Sequence, residues 1–193
     1  MTKENDKFAR LAAPFSSDVI EWRVQRAGTK TQYGTGDVTQ WASVLAYIDN
    51  RAIMNRLDRV IGAENWRNEY KEAPGGGVLC GISIRFGDEW VTKWDGADNT
   101  AIEATKGGLS NSMKRAAVQW GIGRYLYRLE SKFVNVLEKP AFDKISDSTK
   151  DKYIKLYQKA NPTKKIPKVE GWCKPPMLPE WARPQKTSQE VTD

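Results

Sequence analysis

The chain has 193 residues, 39% hydrophobic and 28% charged, with 31 Lys and Arg against 24 Asp and Glu for a formal charge of +7. That length suits one domain, or one domain with a tail, and is enough to bury a proper core. Histidine is absent and cysteine occurs only at Cys80 and Cys173, so His-based catalysis, Ser-His or Cys-His nucleophiles, Cys/His zinc centres and a disulfide framework are all excluded or disfavoured.

In chain order, residues 1–14 are mostly polar, with an apolar patch at Phe8, Leu11 and Ala12 that suits a short helix or an arm. Val19 to Val24 alternates as a strand closed by Ala27-Gly28, and the Gly- and Thr-rich stretch 29–37 reads as a loop. Val44 to Ile48 is β-rich and is followed by Asp49, a good N-cap. Ile53, Leu57, Val60 and Ile61 then recur at helical spacing, with Gly62 as the C-terminal stop. Three glycines at 75–77 make a turn into Val78–Phe86, where Val78, Cys80, Ile82, Ile84 and Phe86 share one face. Gly87-Asp88 turns this strand into a second, Glu89 to Asp95, completing a hairpin.

Thr100 and Glu103 form a capping box for a helix running to Trp120. Its expected buried face is Ile102, Leu109, Met113, Ala116, Ala117 and Trp120; Lys106, Ser110 and Lys114 lie on another, polar face. Gly121 and Gly123 weaken the helix beyond that point. Another helix is expected over 148–160. From Asn161 onward, six of the nine prolines and no steady period predict an extended tail, with Trp172 and Trp181 as docking candidates.

No apolar run approaches the ~20 residues of a membrane span, and the polar start lacks a signal-peptide core. With so few cysteines, a soluble protein of a reducing cytoplasm is expected. Residues 1–105 carry 13 basic and 15 acidic side chains, a net of −2, whereas residues 106–193 carry 18 and 9, a net of +9. A basic half suggests a polyanionic partner, because each Lys or Arg that neutralises a phosphate releases counterions. The 8 Trp, 7 Tyr and 5 Phe add rings that either fill the core or stack on unpaired bases.

Nucleotide-binding motifs fail on context. Gly75-Gly76-Gly77 has no P-loop lysine, Lys106-Gly107-Gly108 sits within a helical pattern, and Gly121-Ile122-Gly123 follows a helix rather than a strand. Asp95, Asp98 and Glu103 are the one tight acidic cluster near a strand end that metal-dependent nuclease chemistry could use, although turn and cap roles explain Asp98 and Glu103 equally well. The strongest local signal is Ser110-Asn111-Ser112-Met113-Lys114-Arg115-Ala116, two adjacent cations among small residues. Lys makes a point contact with a phosphate and Arg grips it through two N–H groups; the plainer reading is a solvated helix face. Arg23 and Arg26 flank a strand end, Arg124 and Arg128 could form a stripe with Lys132, and Tyr47 stands at a strand-to-helix junction.

Two blocks in order carry a family resemblance. The first is Val44-Leu45-Ala46-Tyr47-Ile48-Asp49 with the helix ending Val60-Ile61-Gly62 and Trp66 close behind. The second, beyond a hairpin, runs from Glu103 to Tyr127 and contains Gly108-Leu109, Met113-Lys114-Arg115-Ala116 and Trp120-Gly121. Over roughly residues 18–130 the chain resembles the Rad52/22 family of single-strand annealing proteins, and the Gly121 to Tyr127 ending resembles its phage and prophage branch.

The resemblance implies an α+β fold, a β-β-β-α annealing core in which an antiparallel sheet is packed by a long helix, with protomers assembling into an oligomeric ring. It implies single-stranded DNA held by its phosphates in a basic groove, bases turned outward. Lys114 and Arg115 would belong to that groove, with Tyr47 and a basic residue of the Arg23 to Arg26 stretch. The eukaryotic members carry another Arg three positions beyond the Lys-Arg pair, where this chain has Val118; Arg124 is the candidate replacement. For a second, outer DNA site the candidates are Lys93 and Lys106.

The expected organisation is an arm at 1–17, an annealing core at 18–138 and a helix with a Pro-rich tail at 139–193. The expected activity is ATP-independent annealing of complementary strands in recombination and repair, with no cofactor, no metal and no catalytic residue. Passive single-strand binding and a metal-dependent nuclease are the alternatives. Expected partners are single-stranded DNA, the annealed duplex intermediate, further copies of the chain, and a phage exonuclease or host single-strand-binding protein. If the chain is phage-encoded, its setting is the cytoplasm of a bacterial host.

Overall fold

The computed structural model describes residues 3–98, 104–163 and 165–185. Its elements are α1 (Lys3–Ala12), β1 (Glu21–Thr31), β2 (Val38–Tyr47), α2 (Asn50–Ile61), β3 (Trp66–Glu72), β4 (Val78–Phe86), β5 (Glu89–Ala97), α3 (Ala104–Gln119), β6 (Lys132–Val136), α4 (Lys139–Asp143), α5 (Asp147–Lys150), β7 (Ile154–Gln158) and β8 (Val169–Cys173). All strand pairings are antiparallel, so the fold is mixed α+β. The chain divides into two compact units: the residues up to Val19, Ile48–Arg128 and those from Trp181 form the first, and Ile20–Tyr47 with Leu129–Glu180 forms the second.

The first unit holds the β-β-β-α arrangement. Its sheet has the order β3-β4-β5, and α3 lies against β4 and β5. Cys80, Ile82 and Ile84 of β4 are fully buried with Met113, Ala116 and Ala117 of α3. Trp120 closes the helix end, its indole N–H donating to the Ile82 carbonyl at 2.9 Å. Phe8 of α1 and Phe86 of β4 stack with this ring at centroid distances of 6.5 and 6.2 Å. The expected second helix appears as α2: the Asp49 carboxylate accepts from the Ala52 N–H at 2.8 Å, and Gly62 ends the helix at φ +93°. Arg56 of α2 fixes the chain after α1, donating to the carbonyls of Leu11 and Ala13 at 3.1 and 2.7 Å while its guanidinium lies 3.9 Å over Phe15. Strand β5 runs two residues past the expected Asp95. Strand β3 was not anticipated: it is a polar edge strand, exposed along nearly its whole length, without the alternation that marks a half-buried strand. The capping box at Thr100 and Glu103 lies outside the described residues.

The second unit holds the sheet β1-β2-β6 and the two-stranded ladder β7-β8. Val24, Ala42, Val44, Val136, Leu156, Val169 and Cys173 make its core. Three expectations change here. Strand β1 does not close at Ala27-Gly28 but continues to Thr31, paired with Val38 to Trp41, and the turn is confined to residues 32–37. Gly28 serves that pairing, because a Cβ there would lie 2.8 Å from the Trp41 ring. The helix expected over 148–160 is replaced by the four-residue α5 and strand β7, since burial of Leu156 between exposed Lys155 and Tyr157 follows a period of two. The expected extended tail contains β8, paired with β7, and Trp172 within it stacks on Phe142 at 4.5 Å. Trp181, in the first unit, is half exposed beneath the Arg128 guanidinium.

Candidate nucleic-acid interface

The first unit presents cations along α3 and β5. Arg115 is exposed on α3, and its Nε and Nη2 atoms reach the Asp95 Oδ1 atom of β5 at 3.0 and 2.9 Å. Partial burial pushes the Asp95 carboxyl up, but the Gly96 N–H and the Arg115 and Gln119 side chains outweigh it and hold the group below its ordinary value. This ion pair fixes one edge of the guanidinium and leaves the other N–H groups for an acceptor in solvent. Lys114, its neighbour in sequence, is half-buried. The adjacent Ser112 is fully buried and donates to the Leu109 carbonyl at 3.1 Å, tying the polar run to the helix backbone.

Lys93 and Arg124 converge on the C-terminal end of α3. Lys93 donates to the Gln119 carbonyl at 3.1 Å and lies 4.3 Å over the Trp120 ring. Arg124 donates to the carbonyls of Val118 and Gln119 at 2.9 and 3.0 Å. Both therefore reach the Gln119 carbonyl at the helix end, where the helix dipole favours positive charge, and Arg124 adds a second donor to the Val118 carbonyl, which also accepts from the Gly121 N–H at 3.0 Å. The backbone of Lys106 is helical, but its side chain falls outside the described residues, as does Glu103 entirely.

The second unit brings Arg23, Arg26 and Tyr47 to one face of its sheet. In an unbroken strand, positions 23 and 26 would point to opposite faces. A β-bulge between Val24 and Arg26 shifts the register, so that Arg23 lies opposite Leu45 and Arg26 opposite Ser43. Leu45, Ser43 and Tyr47 share the face of β2 away from Val44 and Ala42, which point to the core. Arg23 and Arg26 are exposed, and Lys30, further along the same face, is exposed as well. Among the described residues none of these three cations is ion-paired.

The sequence reading missed Lys30 and also the role of Asp95 as an anchor for Arg115. The first depends on the bulge and the length of β1; the second depends on packing α3 against β5, and neither is a local sequence signal.

Of the acidic trio Asp95, Asp98 and Glu103, the last lies outside the described residues. Asp95 is engaged by Arg115, Asp98 is exposed, and among the described residues no group of three His, Cys, Asp or Glu could hold a metal ion. Burial pushes the thiols of Cys80 and Cys173 up to about 11, far from a reactive thiolate. No helix among the described residues is long and apolar enough to cross a membrane.

The chain is 33% identical over 135 residues to the single-stranded DNA-binding protein DdrA of Deinococcus radiodurans, covering 69% of this chain and 60% of that protein. It is 32% identical over 184 residues to the DdrA of Deinococcus deserti, covering 94% of this chain and 72% of that one. A profile of the Rad52/22 family of double-strand break repair proteins matches residues 4–143. The β-β-β-α unit and the two blocks around Tyr47 and Lys114-Arg115 lie within that match, and the chain belongs to the Rad52/22 family.

Proposed function

We propose that this protein binds single-stranded DNA through its phosphates and anneals complementary strands in recombination and repair, without ATP and without covalent chemistry. The observation that carries the reading is the pair of basic surfaces, Arg115 fixed on α3 and the bulge-aligned Arg23 and Arg26 on an exposed sheet face. The relatives' description as single-stranded DNA-binding proteins supports it. Complementary strands repel one another and fold on themselves; cations that neutralise phosphates remove the first obstacle and hold the strand extended against the second. Phosphate contacts carry no sequence information, so binding is expected to be sequence-tolerant and to fall steeply with salt.

The assignment gives Lys114, Arg115, Arg23, Arg26 and Tyr47 the primary DNA contacts; Arg124 and Lys93, which share the Gln119 carbonyl, act together at the end of α3, and Lys106 is the candidate left for an outer site. Assembly into a ring would repeat these contacts along one strand and multiply their effect. The setting is the cytoplasm, and the partners that suit this chemistry are an exonuclease exposing single strands or the single-strand-binding protein coating them.

Passive single-strand binding is the second reading, favoured by the relatives' names, which state binding alone. Fluorescence anisotropy with labelled oligonucleotides tests the shared part. Affinity should fall linearly on a log–log salt plot and be equal for mixed sequences of one length. A salt-independent affinity, or none, contradicts it.

A further inference from the structure

The exposed face of the β1-β2-β6 sheet carries aromatic rings among its cations. We propose that Trp41 and Phe133 form a base-stacking platform, so that this face contacts unpaired bases as well as phosphates. The inference rests on the single-strand-binding reading above and extends it to residues outside the assigned set.

The strand register places the rings. Across the sheet, Arg26 pairs with Ser43 and Ser43 with Phe133; in the next row of the same face Gly28 pairs with Trp41 and Trp41 with Asn135. The Trp41 and Phe133 rings meet at 5.4 Å between centroids, tilted by 50°. Gly28 gives the indole its seat, since a side chain there would collide with Cζ2 at 2.8 Å. Phe133 is 72% exposed, although the strand's other face points Val134 and Val136 toward a ready core.

A large exposed ring costs solvation unless something covers it, and the surroundings indicate what does. From Arg23 to Lys30 the rows of this face hold Arg23, Arg26, Lys30, Thr39 and Asn135 around the two rings, over a buried Ser43; the face's carboxylate, Glu21, stands one row beyond Arg23, opposite Tyr47. Such a face is complementary to a polyanion with flat apolar units, which describes a single strand. Aromatic platforms bordered by cations hold unpaired bases with little sequence preference, because every base has a π-face. A protein partner without carboxylates matched to Arg23, Arg26 and Lys30 would bury these cations uncompensated.

The test compares an oligo-dT with an abasic deoxyribose-phosphate strand of the same length. Phe133→Ala should weaken binding to oligo-dT about five- to 150-fold and leave the abasic strand within about twofold, whereas Phe133→Tyr should retain wild-type affinity. Arg23→Ala with Arg26→Ala should weaken both substrates. If the arginine variant loses both and Phe133→Ala loses neither, stacking is refuted while the phosphate reading stands. If the arginine variant loses neither, both readings of this face fail. Should Phe133→Ala change the sedimenting species while binding both strands normally, the face is a protein contact and the proposal falls. Photocrosslinking with 5-iodouracil in the full chain gives an independent readout: adducts on Trp41 or Phe133 support stacking, and adducts exclusively elsewhere overturn it.

Discussion

In the first unit Arg115 is gripped by Asp95, and Lys93 and Arg124 are bound to carbonyls at the end of α3. In the second, Arg23, Arg26 and Lys30 stand exposed on a sheet face and among the described residues have no ion-pair partner. The difference separates two jobs that a basic protein must do for a single strand. A cation already held by a carboxylate has lost much of its long-range field but little side-chain freedom remains to be lost on binding, so it positions a phosphate. An unpaired cation retains its field and supplies attraction and salt dependence. Under the proposed function, the α3 site would then supply geometry and the sheet face affinity.

The largest expected effect breaks the first half. Lys114→Ala with Arg115→Ala should abolish annealing while circular dichroism and melting stay near wild type, because neither side chain belongs to the apolar core. Normal annealing by that variant would remove the groove from α3. Next, Arg23→Ala with Arg26→Ala should reduce single-strand affinity by about tenfold at low salt. It should also flatten the log–log salt slope by about 1.4, from roughly 0.7 for each phosphate no longer neutralised; an unchanged slope would mean that these arginines do not meet phosphates. Asp95→Asn sharpens the comparison, since it keeps an oxygen for the Arg115 N–H but removes the charge. Affinity should rise about two- to fivefold at low salt, from the lost partial compensation of Arg115, and the gain should vanish at high salt; a fall in affinity would give the carboxylate a purely positioning role.

The smallest effect concerns pH. The Asp95 carboxyl lies below its ordinary value in the folded chain, so the ion pair's contribution is present above the unfolded value of about 4 and is lost only as pH falls through the lower, folded one. With no histidine and both thiols raised to about 11, binding should be flat from about pH 5.5 to 7. A step within that window, measured by anisotropy, would point to a titrating group outside this account.

Local chemistry made the α2 caps and the β4-β5 hairpin legible: Asp49, Gly62 and Gly87-Asp88 act on their immediate neighbours, and the apolar alternation of Cys80, Ile82 and Ile84 needs only a period of two, although Gly81 and Ser83 on the other face are buried as well. Lys114 and Arg115 were legible as a basic pair, although the partner of Arg115 was not. Strand β3 was missed because it is polar on both faces, β6 because it pairs with β2 about ninety residues away, and β7 and β8 because each is only five residues long and completes its pattern through the other. Gly28 shows the same limit, since a glycine that punctuates a loop in one dimension proves to be the seat of a tryptophan ring. The sheet face followed from a single bulge, and no linear pattern announces that Arg23 and Arg26 share a side.

The central claim is annealing, and it is tested by mixing the full chain with fluorescently labelled complementary oligonucleotides, without ATP and with or without magnesium, and resolving duplex from fragments on one gel. The account predicts duplex forming faster than in the protein-free control, strands intact in both conditions, and loss of that acceleration in the Lys114→Ala, Arg115→Ala variant. Bound strands that pair no faster than the control would contradict annealing and leave a passive binding protein; fragments appearing only with magnesium would contradict the non-covalent mechanism itself.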